Sequence, residues 1–242
     1  MSKRFFYKLH LWLSLPLGII ITLICLSGAT LVFKNEIRNA LGMPRVVAPH
    51  GMGDKKDKAE IKNENAAGGR TADFHSASRK HKMMKEDSPY GTTTKRDFFS
   101  YVTKFHTGLM MGPAGKIIVT YTTLLFVFIL LSGIIINMPK NKKQLAQRFK
   151  VEWGKGSRRR LFDLHVSLGW WTLLWLLLLA VTGLGFGLKL VPKGTEMMQV
   201  FHQLHVGSWG GMITRIITFV VSLIGASLPI TGYWLYFRKR RR

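Results

Sequence analysis

Four stretches of this chain carry no Asp, Glu, Lys or Arg: Leu9 to Phe33, Ile117 to Pro139, Leu164 to Leu188 and Ile216 to Phe237. Each reaches the about 20 apolar residues that a helix needs to cross about 30 Å of hydrocarbon. In lipid every backbone N–H and C=O needs a partner within its own segment or a closed barrel, and these runs show no strand-like alternation, so they predict helices. The expected fold class is therefore an all-α integral membrane protein with four transmembrane helices. In residue numbers, the first helix is expected over 1–38 and the second over 98–139, with a long polar extracytoplasmic loop over 39–97 between them. A basic cytoplasmic loop over 140–160 leads to the third helix over 161–189. A short extracytoplasmic loop over 190–204 precedes the fourth helix and basic tail over 205–242. Lys3 and Arg4 precede the first run as they would in a signal peptide, but the run outlasts the usual about 7–15 apolar residues and ends in Leu31, Val32 and Phe33 rather than small residues.

Charge changes the picture in one respect. The chain has 36 Lys and Arg against 12 Asp and Glu, a net charge of +24, which taken alone suggests nucleic acid. Its distribution argues for membrane lipid instead and against a nucleic-acid partner. Three basic residues precede the first run (Lys3, Arg4, Lys8), nine lie between the second and third, and five follow the fourth, whereas the link from Lys189 to Gly211 holds only Lys189 and Lys193. Lys and Arg are retained on the cytoplasmic side, so both termini and the central loop are expected there, where they also meet anionic headgroups. Residues 51–91 are polar, of mixed charge and poor in β-branched and aromatic side chains, a composition expected to stay mobile. The scattered His50, His75 and His81 in that loop lack ligand spacing on a rigid frame and read as solvated. The single cysteine, Cys25, allows no internal disulfide and reads as a small apolar side chain.

The chain also repeats itself. Aligning His10 with His165 places Lys3-Arg4 on Arg158-Arg159, Ser27-Gly28 on Thr182-Gly183 and Lys34 on Lys189 without a gap. Aligning His106 with His205 places Gly108 on Gly207, Gly112 on Gly211, Lys116 on Arg215 and Ser132-Gly133 on Thr231-Gly232. Helices one and two then form one unit and helices three and four a second, a parallel internal repeat about an axis along the membrane normal. Its consequence is that His10 and His165 share one depth near the cytoplasmic surface, and His106 and His205 another near the opposite surface. Facing helices hold a haem by placing one imidazole on each side of the ring. Two haems b with bis-histidine ligation are thus expected, one on His10 and His165, the other on His106 and His205. No CxxCH run is present, which excludes covalent attachment.

Other residues carry weaker signals. Gly108 with Gly112, and Gly207 with Gly211, are four apart and would open one helix face to a flat macrocycle or to another backbone. His202 would share a helix face with His205, as a reserve ligand or a propionate contact, although Thr103 occupies its repeat position. Arg215 and Lys116 stand at matching helix starts, where a cation pairs with a propionate or snorkels to headgroups. Met110 and Met111 read as membrane-surface residues. No Asp or Glu is expected inside any of the four helices, hence no proton relay or ion site of that kind, and no nucleotide-binding loop or catalytic triad is evident.

The segments KLHLWLSLPLGIIITLICLSGATLVF, LFDLHVSLGWWTLLWLLLLAVTGL and WLYFRKRRR resemble the PepSY-associated transmembrane family, which includes iron-regulated inner-membrane reductases of ferric siderophores. The likeness spans all four helices. It implies a bacterial cytoplasmic-membrane haem protein, with His10, His106, His165 and His205 as ligands, that takes electrons from a cytoplasmic donor and reduces an extracytoplasmic ferric siderophore or other ferric chelate. Two other readings stand beside it. One is a haem-free scaffold or regulatory partner of an iron-uptake or peptidase complex; the other is a haem subunit feeding a separate extracytoplasmic enzyme.

Overall fold

The computed structural model describes residues 2–42, 97–192 and 194–240. The segment expected as a polar loop, with His50, His75 and His81, lies almost wholly outside the described residues. In chain order the helices are α1 (Lys3–Val32), α2 (Lys34–Ala40), α3 (Phe98–Gly108), α4 (Gly112–Asn137), α5 (Lys142–Arg148), α6 (Ser157–Gly187), α7 (Glu196–Val206) and α8 (Gly211–Arg240), and the described residues contain no strand. Four of these, α1, α4, α6 and α8, are long and apolar enough to cross a membrane. The shortest, α4, has 26 residues, about 39 Å at about 1.5 Å per residue, which exceeds the about 30 Å hydrocarbon layer.

These four helices form a ring in which each packs on the next in chain order and α8 closes on α1. Their contacts run antiparallel. On α1 and α8, Leu15 meets Tyr233, Thr22 meets Ala226 and Phe33 meets Phe219; on α4 and α6, Thr120 meets Gly187 and Thr123 meets Gly183. α1 and α6 therefore stand on one diagonal, α4 and α8 on the other. α3 leans on α1 and α4, and α7 on α6.

Small residues let the helices close. A Cβ on Gly225 of α8 would lie 2.8 Å from a Leu176 methyl of α6 and 3.4 Å from Cys25 Sγ of α1, so this glycine admits both neighbours, the contact expected of helices in lipid. Leu176, Leu130, Val221 and Leu228 form the buried apolar cluster. Outside, Trp12, Trp171, Leu174 and Ile213 are 69% to 81% exposed. A water-soluble monomer does not display so many large apolar side chains, whereas hydrocarbon accepts them.

Three sequence expectations are corrected. The segment 98–139 is not one helix: α3 ends at Gly108, Leu109, Met110 and Gly112 have positive φ, and α4 starts with a proline in its first turn. The short loop over 190–204 is largely the helix α7, whose Thr195 side chain accepts a hydrogen bond from Met198 N–H. Finally, α6 begins at Ser157 and so carries an acid, Asp163, buried and paired with Arg159.

Candidate functional site

The four sequence-predicted histidines share one local arrangement. Each rests on a Ser-Gly or Thr-Gly pair of a neighbouring helix. His10 of α1 lies on Ser132-Gly133 of α4, and His165 of α6 on Thr231-Gly232 of α8. His106 of α3 lies on Ser27-Gly28 of α1, and His205 of α7 on Thr182-Gly183 of α6. The hydroxyl stands 2.8–3.1 Å from Nδ1 in every case.

That contact decides the tautomer. Each hydroxyl already donates its one hydrogen to a carbonyl of its own helix: Ser132 to Ile129, Ser27 to Leu23 and Ile24, Thr231 to Ser227 and Leu228, Thr182 to Leu178 and Leu179. Its oxygen is left only to accept. Nδ1 of His10 and Nδ1 of His106 also meet the carbonyl three residues before the hydroxyl, Ile129 and Ile24, and a carbonyl cannot donate. Nδ1 therefore carries the proton in all four rings, and each Nε2 keeps its lone pair, with no hydrogen-bond partner among the described residues. A ring oriented through Nδ1–H is the usual state of a metal-ligating histidine.

The glycines give the rings room. A Cβ would approach the imidazole Cε1 to 3.0 Å at Gly28, 3.1 Å at Gly183, 3.5 Å at Gly133 and 3.7 Å at Gly232. The rings at the second level are thus the more tightly seated.

The structure brings the histidines together in the expected pairs. The ring centres of His106 and His205 are 6.2 Å apart, with planes inclined by 53°. A first-row metal holds an imidazole nitrogen at about 2 Å, and the ring centre lies about 1 Å further back, so two imidazoles on opposite sides of one metal place their centres about 6 Å apart. Burial lowers the pKa of both His106 and His205, and for His205 the neighbouring His106 adds to the effect; neutral imidazole is the ligand form. Phe186 closes one side of His205 edge-on at 5.6 Å.

His10 and His165 line one cavity of about 1170 Å³, slightly larger than the about 300–1,000 Å³ of most small-molecule sites. The two levels are 17 residues apart on both supporting helices, His10 to Ser27 on α1 and His165 to Thr182 on α6, about 25 Å of helix rise.

The remaining candidates fare differently. Gly108 and Gly112 do not share a helix face; they flank the α3–α4 turn, and Gly112 has φ +63°. Gly207 caps α7 in the left-handed region, Gly211 has φ +69°, and a Cβ on Gly207 would strike Thr218 Oγ1. Turn geometry and chain crossing thus account for these four positions. Arg215 is engaged in an ion pair by Glu36 of α2, and Lys116 is exposed. His202 is exposed and stands outside the His106–His205 pair, though its charge reaches His205. Met110 and Met111 are exposed at the turn.

Two features escape a reading of the sequence alone. The Ser-Gly and Thr-Gly pairs stand out there as repeat landmarks, without the hydroxyls being recognised as the histidines' partners. Gly169, four residues after His165 on the same face, lines the cavity, and a Cβ there would meet nothing within 4 Å.

A family model described as the PepSY-associated TM region matches residues 7–195 and 187–239. No curated protein and no solved structure matches the chain.

Proposed function

The chain belongs to the PepSY-associated TM family, and from that membership and its four anchored imidazoles we propose that it binds two haems b and carries electrons across the bacterial cytoplasmic membrane to an extracytoplasmic ferric chelate. The observation that carries this reading is the fourfold recurrence of one device: an imidazole whose Nδ1–H is held by a Ser or Thr hydroxyl, with Nε2 open, in two pairs. Interfacial solvation needs no such recurrence. The His106–His205 spacing and the cavity beside His10 and His165 fit a bis-imidazole haem at each level.

His10 and His165 hold the haem of the first level, and His106 and His205 that of the second. When bound, haem supplies a one-electron ferric/ferrous couple. Ser132, Thr231, Ser27 and Thr182 fix the ring orientation and raise ligand basicity through Nδ1. The bundle excludes water and keeps both levels in register about 25 Å of helix rise apart.

The basic flanks favour a topology with the termini and the 140–160 linker in the cytoplasm, and on that reading electrons enter from a cytoplasmic donor at the His10–His165 level. The matched Ser-Gly and Thr-Gly contacts support a parallel repeat of two-helix units. The acceptor is a ferric siderophore or similar ferric chelate, the substrate, whose hard oxygen ligands grip ferric iron far more strongly than ferrous iron, so one electron loosens the complex.

Purified protein expressed with ample haem should show a b-type spectrum with two haems per chain, and its dithionite-reduced form should reoxidise on mixing with a ferric hydroxamate. Absence of stoichiometric haem removes the proposal. Two haems without reoxidation by any ferric chelate confine it to electron transfer with another acceptor.

A further inference from the structure

The cavity that holds His10 and His165 has a charged end. Its lining includes Arg158, Arg159 and Arg238 and, among the described residues, no Asp or Glu. The three guanidinium groups are not equivalent. Arg159 is neutralised by Asp163, with Nε 2.9 and 3.0 Å from the two carboxylate oxygens. Arg238 donates from Nη1 to Ser157 Oγ at 2.8 Å and lies 5.9 Å from the centre of the Trp234 ring, contacts that orient it without cancelling its charge. Arg158 has no recorded partner among the described residues.

Register brings the two uncompensated cations to one height. Arg158 precedes His165 by seven residues on α6, and Arg238 follows Thr231, the hydroxyl partner of His165, by seven on α8. Seven residues are two helical turns, about 10.5 Å of rise with about 20° of drift. Because α6 and α8 are antiparallel, both steps lead toward the same end of the bundle, and both keep the face on which His165 meets Thr231.

We infer that Arg158 and Arg238 bind the two propionate carboxylates of the porphyrin held between His10 and His165, so that its charged edge points to the end of the cavity where α6 begins and α8 ends. This rests on the haem-binding reading above. The chemistry is that of a planar, permanently charged fork meeting a carboxylate in bidentate geometry. Leu11, Phe126, Ile129 and Leu173 elsewhere on the wall suit the apolar face of the macrocycle and offer a carboxylate no side-chain partner, and neutral donors such as Tyr7, Asn137 and Tyr236 lack the charge of the two guanidinium groups.

The test uses full-length chain carrying His106→Ala and His205→Ala, prepared without haem in detergent, so that only the His10–His165 level takes up porphyrin. Haemin and haemin dimethyl ester, whose propionates are methylated and uncharged, are titrated by their Soret absorbance. The parent should bind haemin about tenfold or more tightly than the diester. Arg158→Gln with Arg238→Gln should bring the two within about threefold, by weakening haemin and leaving the diester unchanged. Arg158→Gln alone removes an exposed side chain with no recorded partner and should lose part of the discrimination without disturbing the fold. Equal binding of both porphyrins by the parent overturns the inference while haem binding stands. Discrimination that survives both substitutions assigns the carboxylates elsewhere and also overturns it. Uptake of neither porphyrin overturns the haem reading itself.

Discussion

Gly169 provides a perturbation in which fold stability and cofactor binding move in opposite directions. It lies four residues after His165, hence on the same face of α6, and lines the large cavity. A Cβ at this position meets nothing within 4 Å, so leucine at 169 faces open space in the protein alone. Glycine in a helix is disfavoured by about 0.8–1.0 kcal/mol relative to alanine in water, which sets the sign: Gly169→Leu should leave the melting temperature of the haem-free chain unchanged or raise it. The same side chain fills space that a macrocycle on His165 would occupy. Overpacking costs about 1–3 kcal/mol, which weakens binding at that level about five- to 150-fold. Haem content should therefore fall from two toward one per chain, read by the pyridine haemochrome, while the melting transition keeps its position.

A neighbour on the cavity wall provides the contrast. Gly18 also lines the cavity, but a Cβ there would stand 2.8 Å from Tyr233 Oη, whose hydroxyl ties α8 to the Leu15 carbonyl of α1. Gly18→Leu should lower the melting temperature and haem content together. If Gly169→Leu retains both haems at parental affinity, the cavity is not the seat of a macrocycle. If it unfolds the chain, the space at 169 is not open as described. Either result refutes the reasoning.

The glycines under the imidazoles form a graded series. Gly28→Ala and Gly183→Ala place a Cβ at 3.0 and 3.1 Å from the ring, whereas Gly133→Ala and Gly232→Ala place it at 3.5 and 3.7 Å; the first two should lose haem and the last two keep it, and the reverse order would refute the seating described. Ser132→Ala and Thr231→Val remove the hydroxyl from His10 and His165, and the first leaves the Ile129 carbonyl on His10. Each should weaken haem binding at that level by no more than about ten- to a hundredfold and raise its midpoint potential, since a less basic imidazole stabilises the ferric state less; an unchanged potential in a redox titration counts against an orienting role.

Much of this architecture is legible in the sequence because lipid imposes so strong a constraint. A charge-free run long enough to cross hydrocarbon has few alternatives to a helix, and all four such runs fall, to within two residues, in helices able to span a membrane. Pairing of the histidines follows from register, since His10 with His165 and His106 with His205 occupy matched positions. The breaks were less visible. Gly108 and Gly112 have the spacing of a helix-packing pair, and only the backbone angles show that Leu109, Met110 and Gly112 turn the chain there. Helix α7 lay hidden because the fourth charge-free run begins only after it, so residues 196–204 looked like connector. Asp163 lies one residue before its charge-free run, and α6 begins about two turns ahead of that run and buries it against Arg159.

The Ser-Gly and Thr-Gly pairs also explain why the protein uses hydroxyl residues in spans where Leu or Ala would pack as well. A serine or threonine in a helix can satisfy its own hydrogen on a carbonyl one turn back, which leaves an oxygen able only to accept. An imidazole resting on it must then present N–H through Nδ1 and turn its lone pair inward. Without a ligand each of these lone pairs faces space that no described side chain fills with a donor. Local rules of polar satisfaction are broken most often where a site needs them broken. The arrangement becomes favourable once each pair of lone pairs meets a metal, and a ligand that binds the folded state stabilises it in proportion to the logarithm of its saturation. Stability of this bundle should therefore depend on haem supply, and the four imidazoles are better understood as half of an interaction than as core residues.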